Sequence, residues 1–177
     1  MKLVLNVMLM LLMVSSTHFA ESHSIDEIRD KFQKAIDNSN MTDKLSMELN
    51  KIQKPEPLVL AYIASLEALK AKHSWSPVSK LQYMESHKRM MNDAVRKSPN
   101  SMEIRYLRYN IQRSVPSYLG YSKNLAEDKM FIVDAFINKK FDSKNKKLIK
   151  EVYDYMVQSN SLTPEEKLKM GKVLKSL

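Results

Sequence analysis

The chain contains no cysteine and only two glycines among its 177 residues. The absence of cysteine excludes disulfides, thiol catalysis and a lipid-modified cysteine, so an exported fold of this sequence must be stable through packing alone. Tight hairpins, dinucleotide-binding loops and phosphate-binding loops need glycine at positive-φ positions. With Gly120 and Gly171 alone, these architectures are nearly excluded, whereas helices joined by Pro-, Asn- and Ser-containing turns need no more glycine than this.

The sequence also lacks the common patterns of catalytic and metal sites. It has no GxSxG, no HExxH and no glycine-rich phosphate loop. The four histidines, at positions 18, 23, 73 and 87, form no pair with helical metal spacing, and a zinc site needs three or four converging ligands. We therefore expect no enzyme activity, no cofactor and no bound metal.

Residues 1–20 have the pattern of a secretory signal peptide. Lys2 gives a positive start, an apolar segment interrupted only by Asn6 follows, and small and polar residues lead to Ala20. Cleavage is predicted after Ala20, with cleavage after Ser16 and retention as an anchor as the alternatives. Because a membrane-spanning helix needs about 20 apolar residues and this segment is shorter, we expect a periplasmic or secreted protein with no stable span after cleavage.

Residues 21–177 predict one all-α domain of about eight helices. Capping boxes at Ser24–Glu27 and Thr163–Glu166 open the first and last helices, and Asp142 or Ser143 is expected to cap the seventh. Apolar residues recur at helical spacing between these points, and no strand pattern interrupts them. The predicted breaks lie at residues 37–40, 54–57, 73–77, 98–100 and 115–121.

The segment AVRKSPNS, residues 94–101, resembles the end of a tetratricopeptide repeat. In that family a small alanine lies five residues before the closing proline, and Ala94 and Pro99 match this spacing. The chain departs from the pattern at His87, Trp75 and Tyr109, where small residues would let helices cross. The resemblance covers about one repeat and implies a right-handed, tetratricopeptide-like helical domain.

A wider resemblance covers residues 57–134. The segments PLVLAYIASLEALKAKHSWSP, EIRYLR and PSYLGYS resemble those of a group of small exported proteins of unknown function from Bacteroidetes bacteria. The resemblance implies a periplasmic or secreted helical protein and implies no particular activity.

The fifth predicted helix, around residues 102–113, is the richest in candidate binding residues. Arg105, Tyr109 and Arg113 follow one another at i, i+4 and i+8 on one face, with Tyr106 near its edge and Tyr118 in the following loop. Arginine and tyrosine are enriched at protein interfaces because both give large, preorganised contacts. The alternative is ordinary helix packing with amphipathic tyrosines and snorkelling arginines.

Trp75 is the single tryptophan and lies at a turn between two predicted helices. One interpretation gives it a binding role. The other makes it a wedge that fills the junction of two helices, with His73 hydrogen-bonded to a helix end.

A lysine cluster lies between the sixth and seventh predicted helices and in the first turn of the seventh. The chain as a whole carries a formal net charge of +9. The cluster would attract an anionic membrane surface weakly, or it is simply a solvated turn and helix face. It contains no arginine for bidentate phosphate recognition, and export further disfavours a nucleic-acid partner. Its members are Lys139, Lys140, Lys144, Lys146 and Lys147.

These observations predict an exported helical scaffold that binds a protein or peptide in the cell envelope. The groove is expected along residues 102–121, lined by the arginine and tyrosine side chains. The alternative is a carrier that holds a small apolar ligand in an internal cavity, lined by some of the 13 methionines. A purely structural role is the third possibility.

Overall fold

The computed structural model describes residues 24–177, and within this range it is all-helical, with no strand. The eight α-helices are α1 (Ile25–Ala35), α2 (Ser39–Leu49), α3 (Pro57–His73), α4 (Pro77–Lys97), α5 (Met102–Ser114), α6 (Leu125–Ile137), α7 (Lys146–Gln158) and α8 (Pro164–Lys175). A short 3-10 helix, Ser117–Leu119, lies between α5 and α6 and ends at Gly120, whose φ of 76° is left-handed. The predicted signal peptide and its cleavage sites lie outside the described residues.

The first and last helices begin where their caps predict. The Ser24 hydroxyl accepts a hydrogen bond from the Glu27 backbone N–H at 3.2 Å. Thr163 and Glu166 form a reciprocal capping box, in which each side chain accepts the backbone N–H of the other residue at 3.2 and 2.7 Å. Local hydrogen bonding of the first turn therefore fixes both helix starts.

The cap of α7 differs from the sequence prediction. Asn145, rather than Asp142 or Ser143, is the N-cap, and its side-chain oxygen accepts the Leu148 N–H at 3.1 Å. The Asp142 carboxylate instead accepts the Lys144 N–H at 3.0 Å and so belongs to the preceding turn. Because this turn continues to Lys144, the helix begins later than predicted.

Two hydrophobic cores stabilise the fold. The first lies among α1–α5 and the second among α5–α8. Fully buried side chains of the first include Ile28, Leu49, Leu66 and Met91, and those of the second include Phe136, Ile149, Met156 and Met170.

Helix α5 belongs to both cores. Ile104 and Leu107 pack into the first core, whereas Met102, Tyr106 and Tyr109 pack into the second. Its sequence, MEIRYLRYNIQRS, places apolar or aromatic side chains on more than one side of the helix. Helix α5 is therefore the central element that joins the two halves of the fold.

Small residues bring α3 and α4 close together. Ala61, Ala64 and Ala94 are completely buried, so the two backbones can approach without intervening side chains. His87 of α4 is also buried, and its Nδ1 atom lies 2.9 Å from the carbonyl oxygen of Ala64. Burial lowers the pKa of His87, so this histidine is a neutral packing residue at the crossing of the two helices.

The helices pack in a sequential order. Each helix from α1 to α5 contacts the next, α1, α3 and α5 also contact one another in series, and α8 contacts both α6 and α7. Tyr155 of α7 extends this series through edge-to-face contacts with Tyr106 and Tyr109 of α5. The all-α class and the number of helices are confirmed, and the tetratricopeptide-like order of the repeats stays a prediction.

Candidate binding site

A groove of about 570 Å³ separates α1 from the N-terminal part of α7. Ile25, Asp26 and Arg29 line it from α1, Leu148 and Glu151 from α7, and Tyr62 of α3 lies between them. The groove is open to solvent along its length. It therefore offers space of the size that ligand sites usually have, which is about 300–1,000 Å³.

Arg29 and Tyr62 form the floor of the groove, and both bind the Glu103 carboxylate of α5 behind them. Arg29 donates two hydrogen bonds to the Glu103 carboxylate, at 2.7 and 2.5 Å. The Tyr62 hydroxyl donates a third, at 2.7 Å. The bond to Glu103 raises the pKa of Arg29, and burial raises the pKa of Tyr62, so both side chains keep their protons. The floor is thus rigid, with the charges of Arg29 and Glu103 compensating each other.

Glu151 joins the two walls of the groove. Its carboxylate accepts hydrogen bonds from the Gln33 amide of α1 at 2.7 Å and from the Tyr106 hydroxyl of α5 at 3.4 Å. Burial raises the pKa of Glu151, and the negative charge of Glu103 adds to this shift. Lys147 lowers it, but Lys147 is itself hydrogen-bonded to Asp30 at 2.6 Å.

The two rims of the groove carry opposite charges. Asp26 and Asp30 project from α1, and Asp30 is paired with Lys147. Lys144, Lys146 and Lys147 lie on the opposite side at the start of α7, together with Asp142, so this side is positive on balance. A ligand that lies in the groove therefore meets negative charge on one side and positive charge on the other.

One hydrogen-bond donor along the groove has no partner among the described residues. The Nδ2 atom of Asn145 is buried and makes no hydrogen bond there, although the Oδ1 atom of the same side chain caps α7. A buried donor without an acceptor is costly, so the Asn145 amide lowers the stability of the turn before α7.

The predicted stripe of arginine and tyrosine on α5 is mostly buried, but Tyr109 and Arg113 line an open pocket of about 240 Å³ together with Lys129 of α6. Arg105, Tyr106 and Tyr109 are buried, and each binds a partner within the chain. The Tyr109 hydroxyl donates to Ser161 at 2.6 Å, and exposed Arg113 donates to the Ser159 carbonyl at 2.8 Å. Arg105 and Tyr106 pack against α6 and α7, because both cores cover this part of α5, whereas a binding role for Tyr109 and Arg113 stays a prediction.

Arg105 takes part in a buried ion network between α5 and α6. It bonds the Asp128 carboxylate at 3.0 Å and also pairs with Glu127, while Arg108 makes two bonds of 2.6 Å to Asp128. Asp128 is completely buried. The charges of these arginine and acidic side chains compensate one another, and the network links α5 to α6.

Trp75 and Tyr118 lie on the surface. Trp75 is 98% exposed and Tyr118 is 83% exposed. The interpretation of Trp75 as a wedge between helices is therefore wrong. The Nε2 atom of His73 is buried and has no hydrogen-bond partner among the described residues, so the expected bond to a helix end is not seen there. The turn before α4 directs the indole into solvent instead.

The predicted lysine cluster is spread over several local pairs. Lys140 pairs with Asp134 at 3.0 Å, Lys147 pairs with Asp30, and Lys146 donates to the Leu177 carbonyl. Lys139 has a positive φ of 53° and lies just after α6. Part of the positive charge of the cluster is therefore balanced within the chain.

Three residues of the groove were not candidates from the sequence. Arg29, Glu103 and Glu151 lie on three different helices, and each has an ordinary place in a charged helical sequence. Their approach depends on how the helices pack, so no local signal identifies them. A charged residue on the buried side of α5, such as Glu103, is the nearest available hint.

The described residues show neither a metal centre nor a membrane span. Between residues 24 and 177, no group of three or more His, Asp or Glu side chains is placed to hold a metal ion. No helix in this part of the chain combines the length and apolarity needed to cross a membrane.

Comparisons with known proteins found no matching family model, no similar curated protein and no similar solved structure. The described residues form an all-α protein with a groove that is open to solvent. The groove is therefore the feature that indicates the function.

Proposed function

We propose that this protein is an exported scaffold that binds an extended segment of a protein or peptide in the groove between α1 and α7. The single observation that carries the proposal is the open groove of about 570 Å³ with a rigid polar floor. The signal-peptide pattern of residues 1–20 supports the cell envelope or the exterior as the place of action. The protein acts by contact rather than by catalysis.

The chemistry of the groove suits a peptide. A peptide carries carbonyl acceptors along its whole length, and these can accept hydrogen bonds from the Lys144 and Lys146 ammonium groups that line the groove. It can also place basic side chains against Asp26 and Asp30 and acidic side chains against Lys144 and Lys146. A partner segment with both charges would therefore be favoured over a ligand of one sign.

Selection from a phage-displayed peptide library on the purified full chain tests this proposal. Peptides enriched by the wild type should bind at least tenfold more weakly to the variant Asp26→Lys with Asp30→Lys, because the acidic rim becomes basic. The matched control is Asp43→Lys with Glu165→Lys, which makes the same charge change at exposed positions of α2 and α8.

The proposal fails if the library yields no enriched peptide, or if both double variants lose binding equally. Circular dichroism of each variant shows whether the helical fold is retained, so that a loss of binding can be assigned to the groove.

The alternative function, a carrier of a small apolar ligand, has less support. The cavity beside His87, under the α5–α6 loop, measures about 80 Å³. Lys88, Asn92, Arg108 and Gln112 are among its lining residues, so it is polar as well as small. The methionines of the cores, such as Met91 and Met156, are packed among other buried side chains.

A further inference from the structure

A strip of large apolar side chains is exposed at the start of α4. Trp75 immediately precedes the helix, and Val78 and Leu81 follow at one-turn spacing, both more than half exposed. Single exposed apolar residues are normal on protein surfaces, but a contiguous group of them usually marks an interaction site. Three such residues within seven positions therefore indicate an interaction site.

The loop between α5 and α6 lies beside α4, one turn beyond Leu81. Gly120 and Tyr121 lie beside Met84 and Lys88, and the Tyr121 hydroxyl donates to Glu85 at 2.9 Å. Glu85 is one turn beyond Leu81, so the loop is held next to the exposed face of α4. The apolar strip consists of the exposed side chains of Trp75, Val78 and Leu81 at the start of α4. The neighbouring loop adds the exposed side chains of Tyr118 and Leu119.

Basic residues surround the apolar strip. Lys72, Lys80 and Lys88 lie on or beside α4, Arg89 follows them, and Lys123 lies in the loop. The acidic side chains bonded to this set are Asp37, at 2.6 Å from Lys72, and Glu85, at 3.7 Å from Lys88. None of the residues in the 24–177 range forms an ion pair with Lys80, Arg89 or Lys123, so the surface around the strip has an excess of positive charge.

This composition favours a lipid surface over a protein partner. Protein interfaces are depleted in lysine at their centres and enriched in arginine. Tryptophan and tyrosine are enriched both at protein interfaces and at the membrane–water boundary, so the lysines, which anionic headgroups attract, distinguish the two kinds of partner. We propose that the apolar strip docks on the surface of an anionic lipid bilayer, with Trp75 at the level of the headgroups.

The lone tryptophan makes the proposal directly measurable. Trp75 is almost fully in water in the free protein, so its fluorescence should resemble that of the urea-unfolded chain and be fully accessible to acrylamide. With vesicles of phosphatidylcholine and phosphatidylglycerol, the emission should shift to shorter wavelength and acrylamide quenching should fall. With pure phosphatidylcholine, or at high salt, the shift should be much smaller because the charge attraction is absent or screened.

A double variant separates the strip from the rest of the chain. Val78→Ser with Leu81→Ser keeps the Trp75 reporter and should weaken vesicle binding at least tenfold. The matched control is Met130→Ser with Leu168→Ser, which removes two exposed apolar side chains from α6 and α8 and should leave binding unchanged. Because the signal is the emission of Trp75 itself, binding of residues 1–20 to the vesicles would not reproduce it.

Three results would overturn the proposal. Trp75 could stay water-exposed with both kinds of vesicle, or shift equally with neutral and anionic vesicles. It could also be protected from acrylamide in the protein alone, with a dimer seen by light scattering, which would assign the strip to self-association.

Discussion

Asp128 is the residue on which the ion network between α5 and α6 depends. It has no solvent exposure, and Arg105 and Arg108 both bind its carboxylate. The two arginine side chains are themselves largely buried, so the network exchanges water for fixed charge partners. Removing the shared acid would leave two guanidinium groups without their main counter-ion.

We predict that Asp128→Ala lowers the free energy of unfolding by about 3–5 kcal/mol, because it breaks a buried pair from one side. Urea unfolding followed by circular dichroism measures this change. The control is Asp134→Ala, which removes a surface carboxylate 3.0 Å from Lys140 and should change stability by less than about 1 kcal/mol. Equal effects of the two substitutions would show that the buried network contributes no more than a surface pair.

Residue type alone does not distinguish a binding residue from a packing residue in this chain. Tyr106 and Tyr109 are buried between helices, whereas Tyr118 and Trp75 are exposed. All four are amphipathic aromatics that suit either environment. Their positions relative to the neighbouring helices decide the outcome, and this information is absent from the local sequence.

At the scale of the helix, the capping box of α8 connects local sequence to tertiary structure. Glu166 accepts the Thr163 N–H at 2.7 Å and also pairs with Lys129 of α6 at 3.0 Å. The Thr163 N–H bond lowers the pKa of Glu166, and Lys129 lowers it further, although burial opposes both. The same glutamate therefore fixes the start of α8 and holds it to α6.

Thr163→Ala should lower the free energy of unfolding by about 1 kcal/mol, since the Glu166 N–H loses its side-chain acceptor. Thermal or urea unfolding gives the value. Ser143→Ala is the matched control: it alters an exposed hydroxyl residue before α7 that is not the N-cap, and it should change stability by less than about 0.5 kcal/mol. A loss in the control as large as that in Thr163→Ala would contradict the capping argument.

Helix α5 shows how one element can join two cores. Ile104 and Leu107 pack into the first core, and Met102 and Tyr106 pack into the second. A helix with one apolar stripe can serve only one core, but α5 also buries the charged residues Glu103, Arg105 and Arg108 by pairing each of them. The pairing partners come from α1 and α6, so α5 links elements from both halves.

At the scale of the whole molecule, the buried histidine couples folding to pH. Burial is the largest cause of the lowered pKa of His87, and the bond to the Ala64 carbonyl and the charge of Glu67 only partly oppose it. The unfolded chain takes up a proton near pH 6.5, whereas the folded chain does so at lower pH. The contribution of His87 to the free energy of unfolding is therefore fully present above about pH 7 and is lost as the pH falls below about 6.5.

We expect the free energy of unfolding to decrease between about pH 6.5 and 5.5, with a contribution from His87 of at most about 1.4 kcal/mol per pH unit. Urea titrations at a series of pH values measure this slope. The comparison is His87→Gln, which does not titrate and keeps an amide donor for the Ala64 carbonyl, so its profile should be flatter over the same interval. Identical slopes for the two proteins would show that His87 does not control the loss.

The all-α class, the number of helices and the starts of the first and last helices can be predicted from the sequence alone. These features depend on apolar periodicity, glycine scarcity and caps, all of which act within a few residues. The cap of α7 was missed because Asp142, Ser143 and Asn145 are all good capping residues, and the turn geometry selects among them.

The packing of the helices in three dimensions determines which side chains form the groove. Arg29 and Glu103 are 74 residues apart, and Gln33 and Glu151 are 118 residues apart, yet each pair is hydrogen-bonded. Periodicity shows that a helix has a buried side, but it does not show which helix will cover that side. The same limit explains why Arg105, Tyr106 and Tyr109 of α5 are buried while Trp75, in a short turn, is almost entirely in water.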